Sequence, residues 1–264
     1  MRGKVIILLV VGIAVSLWAI TALPQAEEQK AQLYMVMEEV VKPSEVGEYE
    51  EAVKEFFALC AKHNFPYSFY ASSTVDFHYY FLMPVENFAA IDDFKNAAGE
   101  YIKKLGAEQY LSLAKRITGA WQYVQHTMYY QMPELSYTPE NPRLKPEERN
   151  FYNLAFLYIQ FGKEKEFEKI LKEWVDLYKA KNIADGYNLW VGDIGVEKPI
   201  YVVISAGKSP ADYFSQSEKN DKLLREEAKA LLKKTLALVR KYEFKIGWSR
   251  PDLSYMPQEE NPTK

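Results

Sequence analysis

The chain has 264 residues and a formal net charge of −3, with 48% hydrophobic, 26% charged and 15% aromatic side chains. That length fits one large domain or two ordinary ones, and the apolar share is enough for a packed core. The slightly acidic balance excludes a basic nucleic-acid surface, and the single cysteine, Cys60, excludes an intramolecular disulfide.

Residues 1–26 read as a targeting segment. Arg2 and Lys4 precede an apolar run over 5–21, and Ala22 and Ala26 offer cleavage positions, neither of them a clean A-x-A site. A cleaved secretory signal is the first reading and a retained membrane anchor the alternative, so the chain is expected in the periplasm or outside the cell. Loss of Arg2 and Lys4 with the segment would move the charge from −3 to −5. Membrane contact is expected only through that segment.

The next stretch, 34–41, is an apolar run that predicts a strand. Pro43 and Ser44 punctuate it, with Ser44 as a candidate helix cap. Val46, Tyr49, Val53, Phe56, Phe57 and Cys60 then recur at helical spacing until about Lys62, which places Cys60 among buried apolar neighbours. His63 falls at that helix's C-terminus, where the helix dipole accounts for it. Aromatic strands follow at 67–72 and 77–83, then a helical region from Glu86 to about Thr118, broken near Gly99 and Gly106. A last strand covers 121–132.

After it, Pro133-Glu134-Leu135-Ser136-Tyr137-Thr138-Pro139 recurs as Pro251-Asp252-Leu253-Ser254-Tyr255-Met256-Pro257, an offset of 118. At that offset Tyr34 falls on Tyr152, and the helical stretch 50–56 falls on 168–174. A match repeated at one offset along the chain marks a tandem duplication. The second copy predicts strands at 152–161, 187–191, 200–205 and 242–248, with helices at 164–181 and around 210–241. Its hairpin at Asp193-Ile194-Gly195 is about three residues longer than the first. The units are therefore 31–138 and 151–264, joined by a Pro-rich linker at 139–150.

The order βαββαβ is that of the ferredoxin-like unit, whose four-stranded sheet carries helices on one face only. In element order, duplication and aromatic strands, residues 34–255 resemble the dimeric α+β barrel superfamily. That group includes antibiotic-biosynthesis-type monooxygenases, NIPSNAP-like and stress-responsive barrel proteins. The resemblance implies an α+β fold of two tandem ferredoxin-like βαββαβ units, packed sheet to sheet as a pseudo-dimeric α+β barrel after the N-terminal segment. It also implies a range of activities, from cofactor-independent oxygenases to haem-handling and non-catalytic proteins. No family residue carries over by motif.

The candidate chemistry lies in the first unit. His78 and His126 sit in strands, and Glu38 and Glu39 occupy the first strand, where one of the two must face inward. At the 118 offset Phe244 replaces His126 and Phe156-Leu157 replace Glu38-Glu39, so any site is lopsided. Tyr80, Trp121, Tyr130 and Trp190 are the candidate ligand-lining aromatics. No C-x-x-C, H-E-x-x-H, G-x-S-x-G or phosphate-loop pattern is present. A resident cofactor is thus not expected, with haem as the alternative. The leading functional expectation is an exported, non-catalytic barrel that binds a small hydrophobic or aromatic ligand. A cofactor-independent monooxygenase-like or haem-binding enzyme using His78 or His126 with Glu38 stands second, and a structural cell-envelope protein third. The fused pair is expected as a monomeric pseudo-dimer or a homo-oligomer.

Overall fold

A computed structural model describes residues 30–257. The expected export segment and the Glu-Asn-Pro repeat at 260–262 lie outside the described residues. None of the described helices is long and apolar enough to cross a membrane.

In chain order the first unit contains β1 (Gln32–Val41), α1 (Val46–Lys62), β2 (Tyr70–Thr74), β3 (His78–Val85), α2 (Ala90–Leu105), α3 (Ala107–Ala120) and β4 (Trp121–Gln131). The second contains β5 (Phe151–Ile159), α4 (Glu164–Ala180), β6 (Tyr187–Gly192), β7 (Ile200–Gly207), α5 (Pro210–Leu238) and β8 (Val239–Ser249). The eight strands close into one barrel in the order β1-β3-β2-β8-β5-β7-β6-β4. Each unit supplies four neighbouring strands in the ferredoxin-like order, and β2·β8 and β4·β6 are the seams between units.

The pairing preserves the duplication residue by residue. Met37 faces His126 as Ala155 faces Phe244, both 118 apart. On β3 and β7 the offset is 122, because Leu82 opposes Val36 while Ile204 opposes Leu154. The second hairpin is therefore four residues longer than the first rather than three. Three other local expectations change. Ser44 caps nothing: its hydroxyl sits 3.3 Å from the Glu45 carboxylate in a 3-10 turn ahead of α1. Gly99 lies inside α2, and the break falls at Gly106 alone, whose φ of 86° suits a residue without Cβ. The last strand begins at Val239, not Tyr242.

Strand alternation sorts the side chains. Leu33, Met35, Tyr79, Phe81 and Met83 face outward and pack under Tyr49, Val53, Phe57 and Cys60 of α1. In the second unit Leu157, Ile159, Leu189 and Tyr201 pack under Phe167, Ile170 and Leu171 of α4. Burial pushes the Cys60 thiol up to about 11, as suits an inert apolar side chain. The other face of every strand points into the barrel, where Tyr34, Leu82, Tyr129, Phe156, Tyr158, Trp190, Ile200, Val202 and Ile204 meet.

The repeated Pro-Glu/Asp-Leu-Ser-Tyr motif is a reciprocal clasp. The first unit's tail buries Leu135 in the second unit's core, and Ser136 Oγ accepts from the Leu189 amide at 2.8 Å. Tyr137 donates to the Ile183 carbonyl at 2.8 Å. The second unit's tail answers in kind: Leu253 is fully buried in the first unit's core, Ser254 Oγ accepts from Ala71 N at 2.9 Å, and Tyr255 donates to Phe65 O at 2.7 Å. Truncating either anchor leaves a cavity in the opposite unit. Leu253→Ala and Leu135→Ala should each lower the unfolding free energy by roughly 2–5 kcal/mol. Urea unfolding checks this, and losses under about 0.5 kcal/mol, the range of ordinary surface changes, would contradict the clasp.

Candidate functional site

Partners across a sheet point to one side, so the register decides which candidates meet. Glu38 opposes Tyr80 on β3 and Gln125 on β4, and all three face into the barrel. His78, two residues from Tyr80, faces the same way. His78 Nδ1 lies 2.6 Å from Glu38 Oε1, and Tyr80 donates to the same oxygen at 2.9 Å. His78 Nε2 lies 3.4 Å from Asp76 in the β2–β3 turn. Asp76 in turn accepts from Thr74 and pairs with Lys245, which reaches across the seam from β8. The Glu38, His78 and Lys245 side chains remain 20%, 21% and 18% exposed, so this cluster borders solvent at one mouth of the barrel.

Burial works against ionising Glu38, but the hydrogen bonds from His78 and Tyr80, with the charges of His78 and Lys245, outweigh it and hold the carboxyl below its usual range. Asp76 is likewise held low, its burial outweighed by Lys245, Thr74 and His78. The Tyr80 hydroxyl is pushed up by burial and by the charge of Glu38. Tyr129 rises through burial, with Tyr158 and Glu38 adding to it. Both phenols therefore stay protonated and can donate.

Glu39, one residue on, faces the helices. Its carboxylate accepts from Tyr49 at 2.6 Å and from the Trp121 indole at 2.8 Å. Here burial wins over those bonds and raises the carboxyl above its usual range. His126 opposes Met37, so it points away from the barrel interior and stays exposed, with partial desolvation lowering its pKa. Trp121 and Tyr130 also pack on the helix side. Of the residues expected from sequence, Glu38, His78, Tyr80 and Trp190 share the interior; His126, Trp121 and Tyr130 do not join them. Asp76 and Lys245 were missed. Lys245 carried a signal, as a cation on a strand whose alternate residues are Tyr242, Phe244, Ile246 and Trp248.

The interior is not sealed. Tyr34, Leu82, Tyr129, Leu154, Phe156 and Ile204 point inward yet are only half-buried. Trp190 packs on Tyr34 with ring centroids 4.7 Å apart, and its buried Nε1 has no hydrogen-bond partner. A cleft of about 150 Å³ opens where the linker crosses the barrel, walled by Tyr152, Asn188, Ile204 and Ala206. A second, of about 110 Å³, lies between the sheet and α5, beside Arg143, Tyr187 and Asn220.

These histidines do not fit haem. Both ring nitrogens of His78 face carboxylates, His126 is turned outward, and neither cleft is lined by a histidine. Among the described residues, no cluster of His, Cys, Asp or Glu is arranged to hold a metal ion.

No protein-family model and no curated protein matches the chain. Solved structures match it over most of its length. An anthrone oxidase-like protein aligns with a TM-score of 0.58 at 12% identity, covering 84% of this chain and 92% of that one. A proposed monooxygenase from Lactobacillus acidophilus NCFM aligns at 0.52 and 10%, covering 86% and 97%. A mutant chlorite dismutase from Candidatus Nitrospira defluvii aligns at 0.50 and 8%, covering 84% and 92%. At these identities the likeness is one of fold, and the fold is the ferredoxin-like dimeric α+β barrel.

The two adjacent glutamates should titrate stability in opposite senses. Glu38 has a depressed pKa when folded, so its contribution is present above the unfolded value of ~4.3 and lost as pH falls through the folded one. Glu39 has a raised pKa, so its contribution is full below the unfolded value and lost as pH rises through the folded one. Against wild type, Glu38→Gln should be less stable at neutral pH and converge with it in acid. Glu39→Gln should gain on wild type as pH rises. Urea midpoints from pH 3 to 8 check both, and parallel curves for all three proteins would refute the assignment.

Proposed function

We propose that the barrel interior binds a small molecule with an aromatic or apolar body and one polar end. The observation that carries this is the contrast between its two walls. Glu38, His78 and Tyr80 on one side correspond, through the repeat, to Phe156, Ile200 and Val202 on the other. A polar group of the ligand would meet the Glu38–His78–Tyr80–Lys245 mouth, while its body lies against Tyr34, Phe156 and Trp190. Burial alone would penalise this carboxylate, and the partners gathered to hold it ionised make a perturbed group of the kind that concentrates at functional sites. The half-buried inner aromatics Tyr34, Tyr129 and Phe156 give a ligand something to cover. Arg2, Lys4 and the apolar run behind them support a place outside the cytoplasm for this binding.

A second reading, oxygenation of that ligand without a cofactor, is favoured by the Glu38–His78 pair. Glu38, 2.6 Å from Nδ1, fixes the ring, and a ligand C–H or phenol that displaced Asp76 from Nε2, 3.4 Å away, would meet a base whose protonated form Glu38 stabilises. The aligned anthrone oxidase-like protein and proposed monooxygenase fit such chemistry.

Anthrone is a suitable probe for both readings. Titrated into the full chain, it should quench tryptophan fluorescence, and Trp190→Phe should remove most of that change. Lack of quenching in the wild type would sink the binding proposal. Oxygen uptake with bound anthrone tests the second reading: His78→Ala should slow it ~10²–10⁴-fold, and binding without uptake would leave only the first.

A further inference from the structure

The outer face of β8 carries Tyr242, Phe244, Ile246 and Trp248 at successive outward positions, opposite the helix-facing side of β5. Tyr242 and Phe244 are 53% and 61% exposed, and Trp248 is 38% exposed. In the first unit the same positions hold Val124, His126, Met128 and Tyr130, of which Met128 is buried and Tyr130 packs with the helix core. The β8 stripe is extended by Val75, whose amide donates to Ile246 O at 3.1 Å, and by Phe214, which meets the Phe151 ring that also touches Trp248. Val75 and Phe214 are 52% and 54% exposed. A contiguous apolar patch of this kind is unusual on a monomer's surface.

The geometry points to a second copy of this chain as the occupant, the two stripes stacked face to face about a two-fold axis. Three features select that partner. β8 is held in the barrel wall, paired with β5 from Val239 to Trp248 and with β2 at Gly247–Ser249, so the stripe presents its side chains outward from a fixed strand. A row of four large side chains at even spacing is self-complementary when turned end for end, setting Tyr242 against the copy's Trp248 and Phe244 against its Ile246, as an isologous contact requires. Five of these side chains are 38–61% exposed and Ile246 adds less, so the stripe offers on the order of 500 Å² per copy and a pair would bury roughly 1,000 Å², the least a specific interface needs. The polar His126 at the first unit's equivalent position keeps the second seam free, and assembly then closes at two.

Sedimentation equilibrium of the full chain tests this. The chain should run at twice its single-chain mass, and Tyr242→Lys/Phe244→Lys should weaken the pair ~100-fold or more. Far-UV circular dichroism would report whether that variant folds; if it does not, Val75→Lys in the adjoining turn serves instead, expected to weaken pairing ~10-fold. A wild-type chain at single mass overturns the proposal, as does a pair that survives the folded variants. So does a single chain that binds phosphatidylcholine vesicles through the stripe.

Discussion

A four-stranded antiparallel sheet with helices on one side leaves two things unsatisfied: an apolar face, and two edge strands whose backbone groups lack partners. In this protein one device answers both. The second unit's sheet closes the barrel through β2·β8 and β4·β6, which removes the edges and encloses the inner aromatics at once. The seam pairings are short, with three paired residues each. The clasp strengthens them. Leu135 and Leu253 plug opposite cores, while Ser136, Ser254, Tyr137 and Tyr255 complete backbone hydrogen bonds of the other unit. Each unit is thereby built partly from its neighbour's chain.

That closure also decides what the interior can do. A barrel made of two related halves would by default have two similar walls. This one keeps a carboxylate, an imidazole and a phenol on the first half and three apolar groups at the equivalent places on the second. The seam then brings Lys245 to Asp76, so the polar mouth belongs to both units although most of its groups come from one. The neighbouring glutamates show how strongly a single-residue step matters. Glu38 faces a solvated mouth and His78, and it is held ionised. Glu39 faces the helix-covered core, where two neutral donors fail to offset burial.

Much of this was legible in the sequence. The Pro-Glu/Asp-Leu-Ser-Tyr repeat fixed the 118 offset, and in the structure the β1·β4 and β5·β8 registers repeat at that offset. The role of the motif as a swapped clasp was less visible, because its contacts lie some 50 or 180 residues away in sequence. The site was half legible. His78 and Glu38 were both named as candidates, and their side chains lie 2.6 Å apart. His126 was paired with them because strand membership is readable from pattern, whereas facing depends on register, and a one-residue step reverses it. Asp76 was hidden in a turn, where an acidic residue is ordinary.

The asymmetry that organises the inside recurs on the outside. Phe244 stands where the first unit has His126, so the outer seam is apolar on the second unit, while the inner wall is polar on the first. The two biases sit on opposite faces of adjoining strands: Lys245 points in toward Asp76, and Phe244 and Ile246 on either side of it point out. A change that slipped β8 by one residue would turn Phe244 and Ile246 into the mouth and expel the lysine. Gly247 opposes such a slip, since any Cβ there would meet the Ser73 carbonyl, within reach of backbone that cannot move aside. The tight β2·β8 approach therefore holds the register on which the inner site and the outer stripe both depend.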